Sequence, residues 1–361
     1  MKILFALLCL SMVASAADPF RVFAPSRSSN SVLVVDAKPD GEKMTLTLAE
    51  PISLEFPGTT IVSHPTEPFL YVATNRAEDG KAPAAVIELA PGTAPTVVKV
   101  HPMAVSNGYA YLSIDQEARF LLGANYGGGQ VDVYALDENM IGERVTALDE
   151  GRKNAHCVLP SPDNRFVYIP YVKDTNALYQ YSFDGESGAL TPLDPKNAMP
   201  PEGTGPRHMA YHSELPFAYF SNEQGLGVST YKIDNDSGQL TNVQVVESVP
   251  QDKRPESGVS ASDIAITPDN RFLFTGLRGN PELPDAISRY QILEDGTVKY
   301  LGLTPADETP WGLALSPDGN FLLVSAFKGN TLTAFRITDD GDLQNVASLP
   351  WDSRISDLVT K

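Results

Sequence analysis

Two short polar runs, Gly205-Pro-Arg-His and Ser221-Asn-Glu, carry side chains able to move a proton and to steady an anion. Arg207 supplies a guanidinium, a cation that stabilises negative charge developing beside it where water is partly excluded. Glu223 supplies a carboxylate and His156 an imidazole, and either group can take a proton from water. Arg278 adds a second guanidinium, while Asn125, Tyr126 and His208 are polar groups able to position a small ligand. No metal centre is expected, because the 5 histidines are scattered and no acidic cluster has ligand spacing. Cys157 directly follows His156, so strand alternation turns it to the opposite side and makes it core filler rather than a nucleophile.

The residues between the two polar runs read as strand, turn, strand. His208-Met-Ala-Tyr-His is followed by Ser213-Glu-Leu-Pro and then Phe217-Ala-Tyr-Phe, whose aromatic content suits a pleated, half-buried surface. An antiparallel hairpin lays the start of its first strand beside the end of its second. Arg207 and Glu223 therefore share the sheet edge opposite the turn. His208 is adjacent to Arg207 and alternates away from it, which assigns it to packing between sheets, with substrate contact as the alternative. His64, His101 and His212 read as structural.

This hairpin is one copy of a repeat. Ser161-Pro-Asp-Asn-Arg-Phe, Thr267-Pro-Asp-Asn-Arg-Phe and Ser316-Pro-Asp-Gly-Asn-Phe restate its turn, with looser copies at His64 and Asp115. The shared phenylalanine falls at Phe69, Phe120, Phe166, Phe217, Phe272 and Phe321, a period of roughly fifty residues. A third strand follows, as in Gly227-Val-Ser-Thr-Tyr, and a fourth after an Asp/Gly turn. Four antiparallel strands at this period predict propeller blades. Phe20 to Val35 looks like second and third strands with no first strand before them, and Ile355-Ser-Asp-Leu-Val at the far end can supply it. The expected fold is all-β: a seven-bladed β-propeller of four-stranded blades in one domain, 17–361, closed by the C-terminal strand joining the N-terminal blade. A ring of blades also suits a chain longer than a single undivided core supports. Loops entering each inner strand and leaving each second strand emerge at one mouth of the channel. That rule gathers Asn125, Tyr126, His156, Arg207, His208, Glu223 and Arg278 there.

Residues 1–16 read as a signal peptide: Met1-Lys2, the apolar run Ile3 to Val13, and the small residues Ala14-Ser-Ala before a cut after Ala16. The run is too short to span a bilayer. A periplasmic or secreted location follows, and cleavage removes Cys9, leaving Cys157 as the only thiol. No later segment is apolar enough for membrane insertion. The net charge of −18 argues against nucleic acid and anionic membrane as partners.

Five motifs together resemble the seven-bladed lactonase family, which includes bacterial propeller 6-phosphogluconolactonases and fungal carboxymuconate cyclases. They are Ala124-Asn-Tyr-Gly-Gly-Gly-Gln-Val, Ala155-His-Cys-Val, Gly205-Pro-Arg-His-Met-Ala-Tyr-His, Ser221-Asn-Glu and Leu277-Arg-Gly. The resemblance covers nearly all of the mature chain and implies a catalytic set of His156, Arg207, Glu223 and Arg278, a small-molecule sugar lactone as partner, and no cofactor. Hydrolysis would proceed by water activation and an Arg-stabilised oxyanion. The sequence departs from the family pattern at Asn154 and Leu277, and Trp311 replaces an arginine common at the start of the last blade. That loss of positive charge, with export, points to an unphosphorylated, gluconolactone-like ring. Phosphogluconolactone hydrolysis, a carboxymuconate-type cycloisomerase reaction and a non-catalytic propeller binding a protein or cell-envelope partner stay open as alternatives.

Overall fold

The computed structural model describes residues 18–90, 94–103 and 108–361. The expected signal peptide lies outside them. The described residues form seven antiparallel sheets arranged as blades around a central channel, with two short 3₁₀ turns as their helical elements. In blade 5 the strands are Pro206–Tyr211, Phe217–Asn222, Gly227–Ile233 and Leu240–Glu247, from channel to rim. Blades 2, 3, 4, 6 and 7 repeat that order.

The repeated sequence signals have direct physical meaning. In the turn before each second strand, the Ser161 hydroxyl donates to Asp163 Oδ1 and the Thr267 hydroxyl to Asp269 Oδ1, both at 2.6 Å. The same hydroxyl oxygens accept the backbone N–H of Phe166 and Phe272. Phe120, Phe166, Phe217 and Phe272 then each pack on a glycine in the outer hairpin of the next blade. A Cβ on Gly238 would lie 2.2 Å from the Phe166 ring, and one on Gly296 would lie 2.4 Å from Phe217. Both glycines hold a positive φ, 73° and 80°, so the site demands glycine twice over. Tyr168 and Tyr219 add bonds from their hydroxyls to the Gly238 and Gly296 carbonyls. The core consists of clusters shared between neighbouring sheets, such as Cys157, Phe166 and Tyr168 of blade 4 against Met209, Phe220 and Tyr231 of blade 5.

The ring closes as a shared blade. Val359–Thr360 pairs antiparallel with Phe20–Pro25, which continues through Ser31–Asp40 to Lys43–Leu48. Pairing from Ile355 is interrupted: Ile355 bridges Ser26, and the regular ladder resumes only at Val359. Between them Asp357 turns toward blade 2, where its Oδ2 accepts from the Thr60 hydroxyl at 2.8 Å and the Ile61 N–H at 3.0 Å.

Candidate active site

At one mouth of the channel lies a cavity of about 640 Å³, lined by residues from all seven blades. It holds four cationic side chains, Arg27, Lys173, Arg207 and Arg278, against the carboxylates Glu223 and Asp357. In a chain of net charge −18 this is a local reversal of sign.

The centre of the cluster is Glu223, one residue beyond the second strand of blade 5. Its Oε2 lies 3.1 Å from Arg207 Nε, 3.6 Å from Arg278 Nη2 and 3.8 Å from His156 Nε2. Its Oε1 accepts from Gln224 Nε2 at 3.1 Å. Gln224 Oε1 in turn accepts the Lys173 backbone N–H at 2.8 Å, tying blades 4 and 5 together behind the carboxylate. Arg207 is 1 % exposed, and its Nη1 has no hydrogen-bond partner among the described residues. Arg278 donates to the Ala261 carbonyl at 2.7 Å and lies over Trp311, its guanidinium carbon 4.5 Å from the ring centre. Burial, then the Arg207 charge, push Arg278 down to about 10, so it stays cationic at neutral pH.

His156 is buried beside Tyr126 and His208, with ring centres 5.3 and 5.0 Å away, both edge-on. Burial, then Arg207, hold its imidazole well below the usual histidine range, and it is neutral at pH 7. Cys157 faces the core between blades 4 and 5, where burial pushes its thiol up to about 12. It is no nucleophile.

Two expectations need correction. Asn125 does not reach the cavity wall. It is fully buried, and its Oδ1 accepts the Gly128 N–H at 2.8 Å, closing the tight loop before Gln130. His208 does not alternate away from Arg207. The register between Pro206 and Met209 shifts by a β-bulge, so Arg207 and His208 both line the cavity. Equivalent shifts occur between Ala261 and Ile264 in blade 6 and between Pro310 and Gly312 in blade 7. They place Asp263 beside His208 and Trp311 in the cavity wall. His208 also bonds to Asp263 of the neighbouring blade.

Three charged lining residues, Arg27, Lys173 and Asp357, and Asp263 behind His208 were missed. Arg27 and Lys173 each lie two residues past the end of a second strand, the position that identified Tyr126, so the same rule finds them. Arg27 stacks on Trp311 and Phe327, 5.9 and 5.6 Å from the ring centres, and has no carboxylate partner among the described residues. A cation thus sits over the tryptophan that stands in the place of an arginine. Asp263 and Asp357 had no local signal. His64 and His212 are structural, each accepting backbone N–H groups in its turn.

Comparison with known proteins agrees with this architecture. Residues 13–353 match the family model described as "Lactonase, 7-bladed beta-propeller". The 6-phosphogluconolactonase of Cronobacter sakazakii is 29 % identical over 334 residues, 89 % of this chain and 92 % of the relative. That of Pectobacterium carotovorum is 34 % identical over 241 residues, 66 % of this chain and 70 % of its own. Among solved structures, the periplasmic gluconolactonase PpgL of Pseudomonas aeruginosa superposes with a TM-score of 0.83 at 20 % identity, covering 95 % of this chain and 99 % of that one. The chain belongs to the seven-bladed β-propeller lactonase family.

Proposed function

We propose that the protein hydrolyses a sugar lactone to its aldonic acid, as a single propeller domain exported to the periplasm or beyond. The carrying observation is the Glu223 carboxylate shared by Arg207 and Arg278 at the wall of a cationic cavity. The cavity size suits a small ring. Hydrolysis of a lactone builds negative charge on the carbonyl oxygen as water adds. Arg207 and Arg278 are held where such an oxyanion can be received, and Glu223 keeps both guanidinium groups in place. With its Oε2 engaged by Arg207, Glu223 serves as anchor more readily than as base. Asp357 is engaged by the Thr60 hydroxyl and by the Ile61 and Leu358 N–H groups, which leaves the two neutral imidazoles, His156 and His208, as the freer proton acceptors.

The ring is read as unphosphorylated, on the tryptophan at 311 and the leader-like first residues. A second reading, the 6-phosphorylated ring, is favoured by Arg27, a cation at the same wall with no carboxylate partner among the described residues. The relatives named 6-phosphogluconolactonase and the neighbour named gluconolactonase support one reading each. The test is hydrolysis above the spontaneous rate for glucono-δ-lactone, its 6-phosphate and an unsaturated muconolactone. No hydrolysis of any would return the protein to the binding-propeller reading.

A further inference from the structure

We propose that His208, oriented by Asp263, is the base that takes the proton from the attacking water; the proposal rests on the lactone-hydrolysis reading above. The two residues come from neighbouring blades, each delivered by a β-bulge in an inner strand. His208 Nδ1 lies 2.7 Å from Asp263 Oδ1. An ionised carboxylate can only accept, so Nδ1 carries the hydrogen and Nε2 presents its lone pair. Asp263 is itself fixed by backbone donors: Ile264 N–H to Oδ1 at 2.9 Å and Leu313 N–H of blade 7 to Oδ2 at 3.0 Å. Burial raises the Asp263 carboxyl, but His208, the Leu313 N–H and the Arg207 charge together more than offset it, and the group is held below its ordinary value.

The other ring nitrogen is the telling atom. His208 is 8 % exposed, and its Nε2 is buried with no hydrogen-bond partner among the described residues, although the residue lines the cavity. An acceptor left unpaired costs on the order of 1–3 kcal/mol, which a hydrogen bond from a water or substrate hydroxyl in the cavity would relieve. Tyr111 and His156 flank the ring edge-on, at 4.8 and 5.0 Å between centres, and limit its rotation. Burial, then the Arg207 charge, push His208 down to about 4, so the imidazole is neutral and can accept.

The competing groups are less well arranged. His156 has no carboxylate within hydrogen-bond distance to set its tautomer, Glu223 being 3.8 Å away. Glu223 is engaged by Arg207.

The step balances simply. One water O–H bond breaks, its proton goes to His208 Nε2, and the oxygen bonds to the lactone carbonyl carbon. Collapse breaks the acyl bond to the ring oxygen, which takes the proton back from Nε2. The product is the open-chain hydroxy acid, and Asp263 keeps its charge throughout.

The experiment is steady-state hydrolysis of glucono-δ-lactone and its 6-phosphate by wild type, His208→Gln, Asp263→Asn and His208→Ala, each checked by thermal melting. The expected result is a kcat loss of about 100-fold or more in His208→Gln with KM within a few-fold. Asp263→Asn should lower kcat, because the amide can donate to Nδ1 and hold the wrong tautomer. Added imidazole should restore part of the rate in His208→Ala. A folded His208→Gln with near-normal kcat, or a His208→Ala rate deaf to imidazole, overturns the assignment. If His208→Gln does not fold, Asp263→Asn decides: a lowered melting temperature with normal kcat shows a structural tie. A wild type inactive on both lactones removes the lactonase reading itself, and the base assignment with it.

Discussion

Glu223 Oε2 and Arg207 Nε lie 3.1 Å apart, the first just past the end of one strand and the second near the start of its hairpin partner. Both are buried, so the pair is desolvated, and Arg278 leans on the same oxygen at 3.6 Å. A buried charge pair is costly to break from one side, by about 3–5 kcal/mol.

That geometry gives the first prediction. Arg207→Ala should lower kcat about 100-fold or more, the loss typical when one oxyanion donor is removed. Arg207→Lys should rescue little, since lysine lacks the planar fork that reaches Glu223 and a ligand together. If Arg207 only ties the hairpin, both single variants lose stability and Arg207→Ala with Glu223→Gln recovers part of it. Near-normal kcat in Arg207→Ala, with a lower melting temperature, would remove Arg207 from the chemistry.

Substrate charge can be read at Arg27. Its guanidinium has no carboxylate partner among the described residues and shares the cavity wall with Trp311. Arg27→Gln should cut kcat/KM for the 6-phosphorylated ring about tenfold, a loss of about 1.4 kcal/mol. The unphosphorylated ring should stay within about twofold. Equal effects on both rings would show that Arg27 does not face the substituent.

Metal dependence is the simplest to check. Among the described residues no group of three His, Cys, Asp or Glu side chains is arranged to hold a metal ion. Prolonged EDTA treatment should leave kcat unchanged. Loss of activity restored by one divalent ion would contradict the water-activation scheme above.

The clasp offers a stability test. Ile355 and Leu358 are buried against blade 7 and the first blade, and Val359–Thr360 supplies the missing inner strand. Each buried aliphatic side chain contributes about 1.5–3 kcal/mol. Deleting 355–361 should therefore lower the melting temperature sharply or yield insoluble protein. An unchanged melt would refute closure by this segment.

Much of this was legible from sequence because the repeat is local. A phenylalanine and the Pro-Asp turn before it recur together, and the turn is set by hydrogen bonds among neighbouring residues. The ends of second strands pointed to Tyr126, Glu223 and Arg278 for the same reason. Asp263 and the true direction of His208 were hidden because a bulge inserts one extra residue and cancels strict alternation. Asp357 was hidden because its partners, Thr60 and Ile61, are almost 300 residues away in sequence. Asn125 failed for the opposite reason: a local loop bond claimed a side chain that composition made available.

Asp357 gives the last prediction, a stability effect that depends on pH. Burial, then the nearby Asp263 charge, raise its carboxyl to about 7. The unfolded value is about 3.9. Between those two pH values the folded protein keeps a proton that the unfolded chain has released. Stability from this group is therefore present at low pH and lost as pH rises through 7. Asp357→Asn removes the titration and keeps an oxygen that can accept from Thr60 and Ile61. It should be more stable than wild type at pH 8, on the order of 1–3 kcal/mol, with the gap closing toward pH 4. The buried neutral histidines His156 and His208 act in the opposite sense, losing stability as pH falls below about 6.5. Absolute melting curves will therefore mix the two effects. The difference between wild type and Asp357→Asn cancels the histidines to first order, and its slope with pH is the quantity to measure. A gap that is flat from pH 5 to 8.5 would show that Asp357 is ionised throughout. Asp263→Asn, by removing the charge that helps raise it, should flatten the slope in part.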